Sequence, residues 1–139
     1  KISMAEIIAQ FIFWGMLEKH PELKLVSVES SIGWFPFVAQ YMDKIWEKHR
    51  YWTHSTIREK PSFYMERQVY GTFLEDPVGV AMRHVPGAGN IMWSSDYPHS
   101  ETTWPESRKV VDEQFKDLPD DEKHEIICGI AAKLYNIAD

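Results

Sequence analysis

A single thiol, Cys128, stands in a chain of 139 residues, so no disulfide can form within it. That is the pattern of a protein kept in a reducing compartment, and a cytoplasmic location is expected. Basic residues are outnumbered: 15 Lys and Arg against 21 Asp and Glu leave a formal charge of −6. This sign disfavours a nucleic-acid or anionic-membrane partner. No apolar run reaches the ~20 residues that span a bilayer. Paired histidines are missing too. None of the six stands in an H-x-H or H-x-x-x-H arrangement, so the chain alone offers no strong divalent-metal constellation. There is no G-x-S-x-G, and Gly87-Ala88-Gly89 is too short to count as a phosphate loop. Internal repeats, low-complexity tracts and linkers are also absent.

What the chain does have is apolar and aromatic mass. Hydrophobic residues make up 44%, with six Trp, six Tyr and seven Phe, enough for a core and for a cleft that takes a small molecule. The length suits one domain over residues 1–139.

Local patterns alternate between two periods. Ser3 with Glu6 reads as a capping box, and Met4, Ile7, Ile8, Phe11 and Trp14 follow at helical spacing, up to Pro21. Residues 23–29 alternate as a strand ending at Glu29. Pro36 opens a second helix whose apolar face includes Val38, Met42, Ile45 and Trp46. A strand is expected over Met65–Phe73, a short helix from the Asp76-Pro77 pair, and a third strand over 90–95. Thr103 with Glu106 reads as another capping box for a helix to about Lys116. Pro119-Asp120 opens the last helix, in which Cys128 is expected to be a buried, inert thiol. This order is α/β, with parallel strands joined by right-handed crossovers. Three parallel strands need cover on both faces, so either helices supply it or the strands belong to a larger barrel.

The chemistry concentrates where strands end. Asp96, after Asn90-Ile91-Met92-Trp93, reads two ways: as a metal ligand or general base at a C-terminal strand end, or as an ordinary turn aspartate before Tyr97-Pro98. Glu29 holds the matching place on the first strand, where a solvated loop acid is the plain alternative. His99 can orient Asp96 or bond a substrate, or simply sit in the turn. Trp34, Trp93 and Trp104 stand at strand ends or in the turns beyond. Each alone fits core packing, but three at one edge can line an apolar cleft.

Several stretches together resemble a known family. They are Glu29-Ser30-Ser31-Ile32-Gly33-Trp34, Lys60-Pro61-Ser62, Asn90 through His99, Trp104-Pro105 and Ala131-Ala132-Lys133-Leu134-Tyr135. In order and over nearly the whole chain they look like the C-terminal part of the amidohydrolase-related metal-dependent hydrolases. That group also holds the aminocarboxymuconate-semialdehyde decarboxylase-like enzymes. The resemblance implies the last three strands of a (β/α)₈ TIM barrel. It makes Asp96 the aspartate that binds the catalytic divalent metal, zinc or manganese, and handles a proton of its water. Glu29 and His99 stand in the second rank, with Trp34 and Trp104 toward substrate. The family's metal-binding histidines on the first and fifth strands would precede Lys1.

The function so implied is hydrolysis of a small carboxylated or cyclic, aromatic substrate. Non-oxidative decarboxylation is the alternative, and a non-catalytic module that lacks the histidines is a third reading. Open sheet edges lead to a further expectation: self-association, or association with the N-terminal part of the barrel.

Overall fold

The computed structural model describes residues 2–137. Three strands form one parallel sheet in the order β1-β2-β3: β1 Leu25–Ser27, β2 Val69–Phe73 and β3 Asn90–Trp93. The register sets Leu25 beside Val69 and Ser27 beside Gly71, and then Gly71 beside Ile91 and Phe73 beside Trp93. Side chains in register on parallel strands share a face. Leu25, Val69, Gly71, Ile91 and Phe73 therefore face one way, and Val26, Tyr70, Thr72, Asn90 and Met92 the other.

Helices pack on the first of these faces in two clusters. The first joins Ile8 and Ile12 of α1 (Met4–Phe13), Leu17 of α2 (Met16–Lys19), and Phe35, Ala39, Met42 and Trp46 of α3 (Phe35–His49). Tyr64 and Met65 of α4 (Pro61–Gln68) complete it around Val69. The second gathers Ile32, Phe73, Ile91, Phe115, Ile126 and Val80 of α5 (Pro77–Ala81). The clusters meet over Gly71. A Cβ there would lie 2.7 Å from Phe35 and 2.8 Å from Ile32, so only glycine lets both side chains press onto the strand. The chain closes with α6 (Ser107–Gln114), α7 (Asp120–His124), a π-helical turn (Glu125–Gly129) and α8 (Ile130–Tyr135).

The expected elements are present with four corrections. The first helix does not run unbroken toward His20: Gly15, at φ +74°, turns the chain between α1 and α2. The strand expected over Met65–Phe73 begins only at Val69, and residues 61–68 are helical from Pro61. The polar triplet Glu66-Arg67-Gln68 explains the difference. Gln68 donates to the carbonyls of His20 and Leu23, and Arg67 donates to that of Leu17. These side chains tie off the end of α2, a task that a strand-facing row could not perform. Neither expected capping box forms: Ser3 makes no side-chain cap, and Thr103 pairs with Ser107 instead. Cys128 is exposed, with its sulfur 3.4 Å from His124 Nδ1.

The Asp76-Pro77 reading holds, and its consequences reach further than a cap. Asp76 Oδ1 accepts the Gly79 amide at 2.8 Å, and Oδ2 accepts those of Ile32 and Gly33 at 2.7 and 2.8 Å. One buried carboxylate thus starts α5 and clamps the loop that follows β1. Replacing Asp76 with Ala leaves three amides without their acceptor, and should lower unfolding free energy by about 3 kcal/mol, read from urea midpoints. Tyr64 gives a second test. It is buried, its hydroxyl donates to Glu18, and burial, then that carboxylate, raise its pKa above the ordinary 10.0. A raised acid contributes stability below the unfolded pKa that is lost as pH rises through the folded one. The protein should therefore weaken above pH ~10, and Tyr64→Phe should flatten that dependence.

Candidate functional site at the C-terminal edge of the sheet

Each strand runs into an acid just past its end: Glu29 after β1, Glu75 and Asp76 after β2, Asp96 after β3. Because the strands are parallel, these residues gather at one edge of the sheet, where barrel and open α/β folds build their sites. Three non-glycine residues here have left-handed backbones: Glu29 at φ 53°, Ser31 at 59° and Asp96 at 56°. Such positions are uncommon outside glycine and tend to collect at functional sites.

Asp96 sits at the head of a tight turn, with the His99 amide donating to its carbonyl at 2.8 Å across a cis Tyr97-Pro98 bond. Its side chain is only 10% exposed. Oδ2 lies 3.2 Å from His99 Nδ1. The Glu101 amide also approaches that ring nitrogen, but at 3.4 Å. That amide is the donor in this contact and Nδ1 the acceptor. The loop that carries these residues is stapled back onto β3: the Ser95 carbonyl accepts from Thr102 Oγ1 at 2.6 Å and from the Thr103 amide at 3.1 Å.

The structure brings Asp96 and His99 together, and places Glu29 in a neighbouring pocket. That pocket, of about 130 Å³, is lined by Glu29, Ser31, Phe73, Leu74, Glu75 and Glu101. The Glu29 amide donates to Thr72 Oγ1 at 2.8 Å, which fixes the turn after β1 against β2. The three tryptophans divide. Trp34 donates to the Ser30 carbonyl at 2.9 Å and packs edge-on against Phe35 at 4.5 Å. Trp93 donates to the Leu74 carbonyl and leans on the second cluster. Trp104 is 61% exposed and stands edge-to-face with Tyr97, 5.5 Å between ring centres, on the Asp96 loop.

Sequence reasoning passed over Glu75, Tyr97 and Glu101. Glu75 follows its strand as Glu29 and Asp96 follow theirs, so its place was there to be read. Glu101 is brought to the edge only by the fold of the 96–104 loop.

A sequence-family profile described as Amidohydrolase matches residues 5–137. No curated protein matches the chain significantly. Among solved structures, 5-carboxyvanillate decarboxylase from Sphingomonas paucimobilis is similar at 24% identity and a TM-score of 0.74. An amidohydrolase from Mycobacterium avium subsp. paratuberculosis is similar at 22% and 0.77. A dihydroxybenzoic acid decarboxylase from Polaromonas sp., solved with manganese and the inhibitor 2-nitroresorcinol, is similar at 18% and 0.71. These likenesses cover 94%, 94% and 96% of this chain but only 38%, 32% and 40% of the other three. The three strands and their helices are thus the α/β architecture of part of a TIM barrel. With its profile matched over nearly its whole length, the chain belongs to the amidohydrolase family.

Proposed function

We propose that this chain is the C-terminal part of a metal-dependent enzyme of the amidohydrolase type, acting on a small carboxylated, cyclic or aromatic substrate. Asp96 carries the reading. It stands just past the end of β3 with its side chain 10% exposed and one oxygen 3.2 Å from His99 Nδ1, at the sheet edge where barrel enzymes place ligands and bases.

The donor set fits a cation in part. Asp96 supplies a hard oxygen ligand, but no group of three His, Cys, Asp or Glu among the described residues could hold a metal. Histidines elsewhere in a longer barrel would complete the site. A divalent ion held there, zinc or manganese, would supply acidified water and a polarised carbonyl. This chain's own residues do the rest. Asp96 takes the proton of the attacking water, and His99, held against Oδ2, orients the carboxylate. Glu29 is a second carboxylate for proton transfer. Tyr97 and Trp104 offer a ring-sized apolar surface beside them.

The solved neighbours favour a second reading, since two of the three named act as decarboxylases of aromatic acids. There a protonated carboxyl at this edge would deliver its proton to the ring carbon that loses carbon dioxide.

In the full-length protein, Asp96→Asn should lower kcat by about 10²–10⁴-fold, the usual worth of a positioned general base. Wild-type turnover would remove the assignment. His99→Gln should cost about tenfold in kcat and leave KM nearly unchanged, as expected of a residue that acts through Asp96. Carbon dioxide released from hydroxybenzoic acids would select decarboxylation, and hydrolysis of amide or lactone substrates would select the first reading. Metal analysis should find about one divalent ion per full-length chain. None at any pH would favour the non-catalytic module.

A further inference from the structure

A second pocket, of about 330 Å³, opens in the helical layer where α1 ends and where α3 runs into its following loop. Its lining includes Phe13, Ile45, Trp46, His49, Arg50 and Ser55. α3 starts near the C-terminal edge of the sheet, and its fifteen residues carry the chain roughly 22 Å along the helix axis. The pocket therefore lies toward the opposite end from Asp96.

Among the described residues, three buried side-chain polar atoms have no hydrogen-bond partner: Trp46 Nε1, Arg50 Nε and Ser55 Oγ. All three residues line this pocket. Buried polar groups are ordinarily paired, so three orphans in one place point to a missing acceptor. Indole and guanidinium nitrogens can only donate. The acceptors at the end of α3 are already engaged. The Trp46 carbonyl takes the Arg50 amide, the His49 carbonyl takes the amide and hydroxyl of Thr53, and the Arg50 carbonyl takes the Ser55 amide.

Arg50 is held in place rather than left to wander. Its guanidinium stacks 4.3 Å over the Trp46 ring and 4.7 Å over Tyr51, and it donates to the Tyr51 hydroxyl at 2.8 Å. Trp46 itself is 6% exposed. No Asp or Glu lines the pocket, and Phe13, Ile45 and the Trp46 ring give it an apolar wall. Its size falls at the low end of the roughly 300–1,000 Å³ typical of small-molecule sites.

We propose that this pocket binds a small carboxylate with an apolar, ring-sized body, the carboxylate meeting Trp46 Nε1 and Arg50 Nε and the ring lying against Phe13 and Ile45. The donor atoms are themselves buried, so seating the ligand requires the pocket wall to open over them. The site is separate from Asp96 and stands whatever reaction that residue serves.

The test is a titration of the full-length protein with benzoate, followed by calorimetry and by the indole N–H resonances, with Trp46 assigned through Trp46→Phe. Benzoate should bind with a Kd near 1 mM or tighter. Trp46→Phe, which keeps the ring and removes the donor, should weaken it about tenfold, and so should Arg50→Gln. Ser55→Ala, a smaller perturbation, should weaken it about threefold, and it serves if either larger change prevents folding. Asp96→Asn should leave this binding unaltered. The proposal is overturned by no binding up to ~10 mM, by affinity indifferent to all three pocket variants, or by binding lost only in Asp96→Asn. Inorganic sulfate bound as tightly as benzoate would overturn the assignment of an apolar body.

Discussion

The carboxylate of Asp76 is the point on which the local architecture turns. It accepts three backbone amides drawn from two segments more than 40 residues apart in the chain. One of those segments is the loop between β1 and α3, whose entry sets the left-handed Glu29 and Ser31. The same residue's amide is held by Gln114 of α6, and Gln114 also bonds the Leu74 carbonyl. Without that carboxylate the loop after β1 would have no fixed place against α5. A charged acceptor with several donors is among the stronger bonds available to a fold.

Asp76 and Asp96 show how differently the backbone can satisfy one residue type. Both stand just past a strand, at the same edge of the sheet. Both oxygens of Asp76 are engaged by backbone amides. Asp96, with a side chain 10% exposed, has among the described residues a close charged neighbour in a histidine that is itself 59% exposed. How completely the local backbone satisfies each carboxylate, rather than its position, distinguishes the two.

Much of this was legible in the chain. Alternation and helical spacing place three strands and most helices, and the Asp76-Pro77 pair announces its helix. The errors have a common cause. At Glu66–Gln68 and at Thr103, side chains that suit one local motif bond partners distant in sequence or elsewhere in their loop, which no short window displays. Cys128 is exposed where burial was expected because the π-helical turn around it interrupts the spacing of the last helix's apolar stripe. In the site, the Asp96–His99 pair follows from a spacing of three within a turn. The arrival of Glu101 near Glu29 depends on how a whole loop folds back onto Ser95, and no spacing encodes that.

The order of the strands carries a consequence for how such a protein comes to exist. Spatial order equals chain order, so each strand pairs only with the units before and after it. Every ladder closes over a short stretch of chain, and the loop-closure entropy of each addition stays small and nearly constant. A sheet assembled this way can grow one unit at a time as the polypeptide emerges, each new strand finding its template already laid down. The two outer strands keep a ladder edge unpaired within this sheet, so the same rule that orders these three supplies the position for the next.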